Sequence, residues 1–205
     1  MTGFTKETGI AAPLPIDNID TDMLCPAQFL YTVNKTGLGD FLFYEMRRHA
    51  DGTPVKEFVL NREPYDKATI LIAGENFGSG SSREHAAWAL TGFGFRCVIA
   101  RNFADIFYMN ALKNGILLVS LEQPEIDALL KDASNVANPR LTVDLAQQVI
   151  TRPGGEQIRF EIDPFRREYL LNGLTDVGEL GKVRSGIEAY EARQRAAKPW
   201  LFESA

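Results

Sequence analysis

The sequence predicts an α/β protein with a parallel α/β unit, a C-terminal antiparallel hairpin and C-terminal helices. Three short apolar runs, at residues 68–73, 97–100 and 116–119, are typical of buried strands, and segments with helical spacing separate them. Strands that alternate with helices along a chain build a parallel sheet. Residues 141–162 instead alternate between apolar and polar side chains around a Pro-Gly-Gly turn, which indicates a hairpin.

The chain before the first apolar run is predicted to be extended or irregular. Residues 1–16 end in a segment whose two prolines exclude a helix. The acidic cluster at residues 17–22 would ordinarily be a solvated turn. Residues 31–62 form a long irregular region with a short helix near residues 41–45. Loops of this length are commonly lids or binding loops, and disorder is the alternative.

Helices are predicted where apolar side chains recur at helical spacing. One of these helices has both ends marked, because Pro164 occupies its first position and Asn172-Gly173 follows its last turn. The predicted helices span residues 86–90, 102–112, 124–131, 164–172 and 185–195.

Composition excludes several classes of function. The 205 residues are 45% hydrophobic, enough for a substantial core, and a net charge of −5 without a basic run argues against nucleic acid as a partner. The only cysteines, Cys25 and Cys97, are too few to hold an iron–sulfur cluster, and the two histidines offer little to a zinc ion. Without a leader pattern or an apolar run of membrane-spanning length, we expect a cytoplasmic protein with no membrane partner.

The stretch from Gly74 to His85 joins a predicted strand to a predicted helix through a glycine-rich turn. Its sequence is Gly-Glu-Asn-Phe-Gly-Ser-Gly-Ser-Ser-Arg-Glu-His. Such a turn points the first backbone N–H groups of the helix at a bound anion, which the helix dipole also favours. Arg83, expected in the first helical turn, adds a planar cation suited to a carboxylate.

A structural interpretation of the same residues competes with the functional one. Ser81 and Glu84 have the spacing of a capping box, with Ser81 as the N-cap and Glu84 at the third helical position. Gly78 and Gly80 would then only provide backbone freedom for a tight turn. Spacing alone favours the capping box, because this pattern is common. The two interpretations are compatible, since the same exposed amides would also polarise a serine at a helix start.

Other glycine-rich motifs do not fit. A Walker A loop needs a lysine directly after its last glycine, where this chain has Ser81, and the dinucleotide fingerprint needs a glycine where Arg83 stands. The nucleophile elbow of serine hydrolases needs a second glycine that is absent here. A carboxylate-binding turn with a serine at its apex remains. That serine could act as a base only in a closed, dry site, so a partner would have to cover it.

Four motifs, in this order, resemble those of the small subunits of bacterial 3-isopropylmalate dehydratases, whose swivelling domain is of the aconitase type. They are residues 18–22, 76–86, 103–107 and 165–174. The resemblance implies one swivelling β/β/α domain over residues 1–205. Within it, residues 31–62 would be the substrate-specificity loop region, and residues 185–205 the C-terminal helix and tail.

The resemblance also implies a reaction and a partner. Members of this family form part of a hydro-lyase that interconverts 2-isopropylmalate and 3-isopropylmalate by dehydration and rehydration in leucine biosynthesis. The small subunit is active only with a large subunit that carries a [4Fe–4S] cluster, whose open iron acts as a Lewis acid on the departing hydroxyl. This chain would bind no metal and no cofactor itself, in agreement with its cysteine count.

Roles for the motif residues follow from the same resemblance. Ser81 would remove a proton from carbon as an alkoxide, and Arg83 would hold a substrate carboxylate with help from Ser82. The residues Asp20, Thr21 and Asp22 would line or brace the same cleft.

The loop after the acidic cluster sets substrate choice in this family. Tyr31, Val33 and Leu38 could contact an isopropyl group, and Lys35 is the only cation between residues 29 and 46. A citrate-type substrate would require an arginine there, so the loop favours an alkyl-bearing substrate.

Two departures from the family pattern leave alternatives open. Ser79 replaces a cysteine that many relatives have, and Thr175 to Val183 is less typical. One alternative is the small subunit of a paralogous dehydratase for another substituted malate, such as citraconate or dimethylmalate. The other is a non-catalytic anion-binding module in which Ser81 only caps the helix.

Overall fold

The computed structural model describes residues 3–31, 37–174 and 184–202. The chain divides into two compact units, residues 1–173 and residues 174–205. The single swivelling domain over residues 1–205 stays a prediction. None of the helices in the described ranges is long and apolar enough to cross a membrane.

Seven strands in the first unit form one mixed sheet. The strands are β1 (Lys6–Leu14), β2 (Ile70–Ala73), β3 (Cys97–Ala100), β4 (Leu117–Ser120), β5 (Arg140–Asp144), β6 (Val149–Thr151) and β7 (Gln157–Arg159). Their order across the sheet is β4-β3-β2-β1-β5-β6-β7. The pairs from β4 to β1 are parallel, and those from β1 to β7 are antiparallel. The predicted α/β class, with a parallel unit followed by an antiparallel hairpin, is confirmed.

The described helices lie close to their predicted positions except the first, which falls in the segment that was predicted to be a solvated turn. They are α1 (Thr21–Leu24), α2 (Tyr44–Arg47), α3 (His85–Phe93), α4 (Asp105–Lys113), α5 (Gln123–Ala133), α6 (Pro164–Leu171) and α7 (Arg184–Ala197). Helix α6 begins at Pro164 as predicted, and the Asp163 carboxylate caps it by accepting a hydrogen bond from the Arg166 amide at 3.0 Å. In the second unit, α7 is followed by a short 3₁₀ turn at Pro199–Leu201.

The N-terminal segment, predicted only as extended, is the strand that joins the two halves of the sheet. β1 pairs with β2 in parallel and with β5 in antiparallel fashion. Pro13 lies within it, opposite Ile72, and contributes no N–H to the ladder. A proline in a central strand is unusual, and for this reason the sequence pattern did not predict a strand here.

The described part of the region 31–62 is packed rather than disordered. Residues 37–62 fold into the 3₁₀ turns Leu38–Phe41 and Val59–Asn61, with α2 between them. Fully buried side chains from this segment, including Phe43, join the main hydrophobic core together with the parallel strands, α3 and α4. Residues 32–36 lie outside the described residues.

Helix α4 packs against the glycine-rich turn. Gly78 has a φ of +80°, and a Cβ at this position would overlap the ring of Phe107 on α4. Only glycine meets both conditions, because other residues are strained at positive φ and any side chain would collide with the ring. The turn that carries Ser81 is therefore seated on α4.

We expect Gly78→Ala to reduce the free energy of unfolding by about 2–4 kcal/mol, because positive-φ strain and overpacking add. Gly155→Ala is the matched control. Gly155 has a φ of +94°, but an added Cβ would meet nothing within 4 Å, so we expect only the strain cost of about 1–2 kcal/mol. Urea denaturation of both variants measures the difference. Equal losses would show that contact with Phe107 does not restrict Gly78.

Candidate active site

Two loops meet at the carboxyl ends of the parallel strands. The acidic cluster at residues 17–22 follows β1, and the glycine-rich turn follows β2, its parallel neighbour. In open α/β sheets this edge is where ligands bind. Backbone hydrogen bonds join the two loops: the amide of Thr21 donates to the carbonyl of Ser79 at 2.8 Å, and the amide of Gly78 donates to the carbonyl of Ile19 at 2.7 Å.

The hydroxyl of Ser81 is the point on which these loops converge. Its Oγ lies 2.9 Å from Oγ1 of Thr21, and it accepts hydrogen bonds from Nε of Arg83 at 2.5 Å and from the Arg83 amide at 3.4 Å. Thr21 is almost fully buried, and its Oγ1 also accepts from the Ser81 amide at 3.0 Å. The threonine proton is thus available to Ser81 Oγ, so three donors can face one oxygen.

The capping-box prediction is wrong. Helix α3 begins at His85 with Glu84 as its N-cap, so Ser81 lies four residues before the helix, and Arg83 also precedes it. Ser81 Oγ instead bonds to Thr21, which is 60 residues away in the chain, and to Arg83. The positive charge beside Ser81 is therefore the guanidinium of Arg83 and not the first amides of α3.

Arg83 connects the serine to a carboxylate. While Nε donates to Ser81, Nη2 donates to Oδ1 of Asp22 at 2.6 Å. The side chain of Asp22 is 58% exposed, and ion pairs in such positions contribute only ~0–1 kcal/mol. A carboxylate of a ligand can therefore displace Asp22 at little cost.

The remaining predicted site residues differ in where the structure places them. Ser82 is exposed beside Ser81, and its carbonyl accepts a hydrogen bond from the Asn110 amide group at 3.0 Å. The Asp20 carboxylate caps α1 by accepting from the Met23 amide at 2.7 Å. Leu38 is fully buried in the main core, so its side chain does not reach an exposed surface. Lys35 lies outside the described residues.

A cleft of about 420 Å³ lies beside the Asp22–Arg83 pair. It is lined by Asp20, Asp22, Met23, Pro26, Ala27 and Glu45. Sequence reasoning missed Glu45, which comes from α2, because nothing in its local pattern distinguishes it from a solvated helix position. The three carboxylates repel anions, so an anionic ligand is favoured on the side of the cleft where Arg83 pairs with Asp22.

The two cysteines do not fit a metal cluster. Cys25 and Cys97 are both buried, and burial raises the pKa of each thiol, whereas metal ligation requires thiolate. For Cys25, the charge of Asp22 raises the pKa further and the charge of Arg83 opposes the rise. Within the described ranges, no group of three or more His, Cys, Asp or Glu side chains is placed to hold a metal ion.

Comparisons with known proteins cover most of the chain. A family model described as the aconitase C-terminal domain matches residues 1–124. A model described as LeuD_N matches residues 127–164. A third model, described as the C-terminal domain of the 3-isopropylmalate dehydratase small subunit, matches residues 186–204.

Relatives and a solved structure agree with these matches. The chain is 57% identical to the 3-isopropylmalate dehydratase small subunit of Granulibacter bethesdensis, over 98% of this chain and 96% of the relative. It is 55% identical to that of Paramagnetospirillum magneticum, over 98% and 100%. A crystal structure of 3-isopropylmalate dehydratase from Methanocaldococcus jannaschii matches with a TM-score of 0.64 at 26% identity, over 91% of this chain and 99% of the other. The chain therefore belongs to the family of 3-isopropylmalate dehydratase small subunits, with the aconitase-type fold.

Proposed function

We propose that this chain works with a large subunit as a hydro-lyase that isomerises 2-isopropylmalate and 3-isopropylmalate by dehydration and rehydration, in leucine biosynthesis in the cytoplasm. The observation that carries the proposal is the convergence of three hydrogen-bond donors on Ser81 Oγ beside a guanidinium. Family membership supports the choice of reaction, since the relatives bear the name of this enzyme.

Ser81 is the base in this proposal. A serine hydroxyl is a very weak acid, so its alkoxide exists only where preorganised donors stabilise the negative charge. The Thr21 hydroxyl, the Arg83 Nε–H and the Arg83 amide are such donors. As an alkoxide, Ser81 takes a proton from the substrate carbon, and the proton then resides on Oγ until rehydration returns it.

Arg83 holds a substrate carboxylate in place of Asp22. The guanidinium forms two parallel hydrogen bonds to a carboxylate, and the exposed Asp22 is a weak competitor. Ser82, exposed at the next position, is within reach to assist with its hydroxyl. Thr21 holds the acidic loop against the glycine-rich turn by accepting from the Ser81 amide, and Asp20 caps α1 within the acidic loop, so that the arginine and the serine keep their spacing.

A partner has to complete the site. Ser81 is only half-buried in this chain, and water would quench an alkoxide. In our proposal the serine is covered by the large subunit, which also carries the [4Fe–4S] cluster, for which the buried cysteines of this chain are unsuited. The alkyl preference of the loop at residues 31–39 belongs to the same proposal, and so does Lys35, but Leu38 takes no part because its side chain is fully buried in the core.

Reconstitution tests this function. The chain is mixed with the cluster-loaded large subunit from the same organism, and alkene formation from 3-isopropylmalate is followed by its ultraviolet absorbance. We expect turnover from the mixture and none from either subunit alone. We expect kcat/KM for isopropylmalate to exceed that for dimethylmalate or a citraconate-derived malate by about tenfold or more, the effect of missing methyl groups in an apolar pocket. A preference for one of these smaller malates would identify a paralogous dehydratase instead.

A further inference from the structure

Helix α4 has an exposed apolar stripe beside the catalytic turn. Ile106 is 55% exposed and Met109 is 43% exposed, although other residues of the helix, Phe107 and Ala111 among them, are fully buried. Residues three apart on a helix share a face, so Ile106 and Met109 form one continuous stripe, which we call the α4 stripe.

Fixed contacts border the α4 stripe on both sides. Successive helical residues are rotated by about 100°, so Asn110 and Tyr108 project to opposite sides of the stripe. Asn110 donates a hydrogen bond to the carbonyl of Ser82 at 3.0 Å, which ties one edge to the catalytic turn. At the other edge, the Arg166 guanidinium of α6 stacks 4.1 Å from the centroid of the Tyr108 ring.

The same helix therefore supports the catalytic turn and exposes an apolar surface next to it. Its inner face holds Phe107 beneath Gly78, so the stripe and the turn are parts of one packed unit. A protein that binds the stripe would therefore contact the helix next to Ser82, the neighbour of Ser81.

We infer that the α4 stripe is a docking surface for the large dehydratase subunit, and that docking there closes water off from Ser81. This inference rests on the proposed function, which requires a partner to cover the half-buried serine. The contact between Asn110 and Ser82 makes the stripe continuous with the site that must be covered. A few well-packed, desolvated side chains near the centre of an interface commonly contribute most of its binding energy.

The test is the affinity between the two full-length subunits. The variant Ile106→Glu/Met109→Glu is titrated against the cluster-loaded large subunit under anaerobic conditions, with biolayer interferometry as the readout. We expect Kd to rise about 100-fold or more, because two carboxylates would be buried at the contact, while kcat at saturating large subunit stays within about threefold. Ile106→Ala should raise Kd by about tenfold.

A matched control separates the stripe from a general effect of added charge. Val136→Glu makes the same kind of substitution at another exposed apolar position, 59% exposed in the loop after α5, and should leave Kd unchanged. All of these positions are at the surface, so circular dichroism and thermal unfolding should match the native chain.

Three outcomes would contradict the inference, and each has a different meaning. A native Kd for the double glutamate variant would overturn the docking surface and leave the proposed function standing, because turnover would persist. The native chain could also self-associate while the double glutamate variant does not and keeps the native affinity for the large subunit. That outcome would assign the stripe to a second copy of this chain and overturn the inference. A native chain that does not bind the large subunit would contradict both the surface and the proposed function.

Discussion

Ser81→Ala is expected to lower the turnover number of the reconstituted enzyme by about 10²- to 10⁴-fold, the range of effect of a positioned general base. The alanine keeps the backbone of the turn but leaves the Thr21 hydroxyl and the Arg83 Nε–H without the oxygen on which they converge. The loss of these hydrogen bonds should cost about 1–2 kcal/mol of stability, well below the total for a folded domain. Initial rates with saturating large subunit and 3-isopropylmalate measure the effect.

Ser79→Ala is the matched control for this substitution. Ser79 lies in the same turn, and its contribution to the contact between the loops is its backbone carbonyl, which an alanine retains. We expect its turnover to stay within about threefold of native, since Ser79 is no proton acceptor in the proposal. If Ser81→Ala kept near-native turnover, Ser81 would not be the base. If that variant unfolded while Ser79→Ala did not, the role of the serine would be structural.

Arg83→Lys is expected to raise the KM for 3-isopropylmalate by about 10- to 100-fold, because a lysine cannot reproduce two parallel hydrogen bonds to a carboxylate. The turnover number should fall as well, since Nε of Arg83 donates to Ser81 Oγ and a lysine has no equivalent donor there. Steady-state kinetics on the reconstituted enzyme separate the two effects.

Arg152→Lys makes the same replacement in a comparable ion pair away from the site. Arg152 holds Asp132 through Nε at 2.6 Å and Nη2 at 3.0 Å. This variant should lose some stability but keep the native KM and turnover number. If Arg83→Lys left KM unchanged, Arg83 would not bind the substrate carboxylate, and the weak pair with Asp22 would be its main contact.

The types and order of most elements could be predicted from local pattern. The apolar run Cys97–Ala100 became β3 with unchanged bounds, and Pro164 opened α6 as its N1 position requires. Such signals are local, because burial on both faces of a strand demands an unbroken apolar run and a helix start is marked by its own residues. Element boundaries elsewhere shifted by a few residues.

The central position of β1 could not be predicted in the same way. Its hydrogen-bond partners are β2 and β5, which lie about 60 and 130 residues further along the chain. In addition, Pro13 is a residue that the interior of a sheet rarely contains. The capping box failed for a related reason. The local pattern of a capping box was present, but in the fold the Ser81 hydroxyl bonds to Thr21 and Arg83 and not to the first amides of the helix.

The sequence by itself was enough to propose Ser81 and Arg83 as the residues that carry the chemistry, since a serine and an arginine two positions apart stay neighbours in any fold, and the glycines around them mark a tight turn. Only the tertiary structure decided how that serine is polarised. It brings Thr21 and Asp22 from one loop against Ser81 and Arg83 from another, because β1 and β2 are parallel neighbours whose carboxyl ends share an edge. Contacts across such an edge depend on distance in space, which local sequence patterns do not encode.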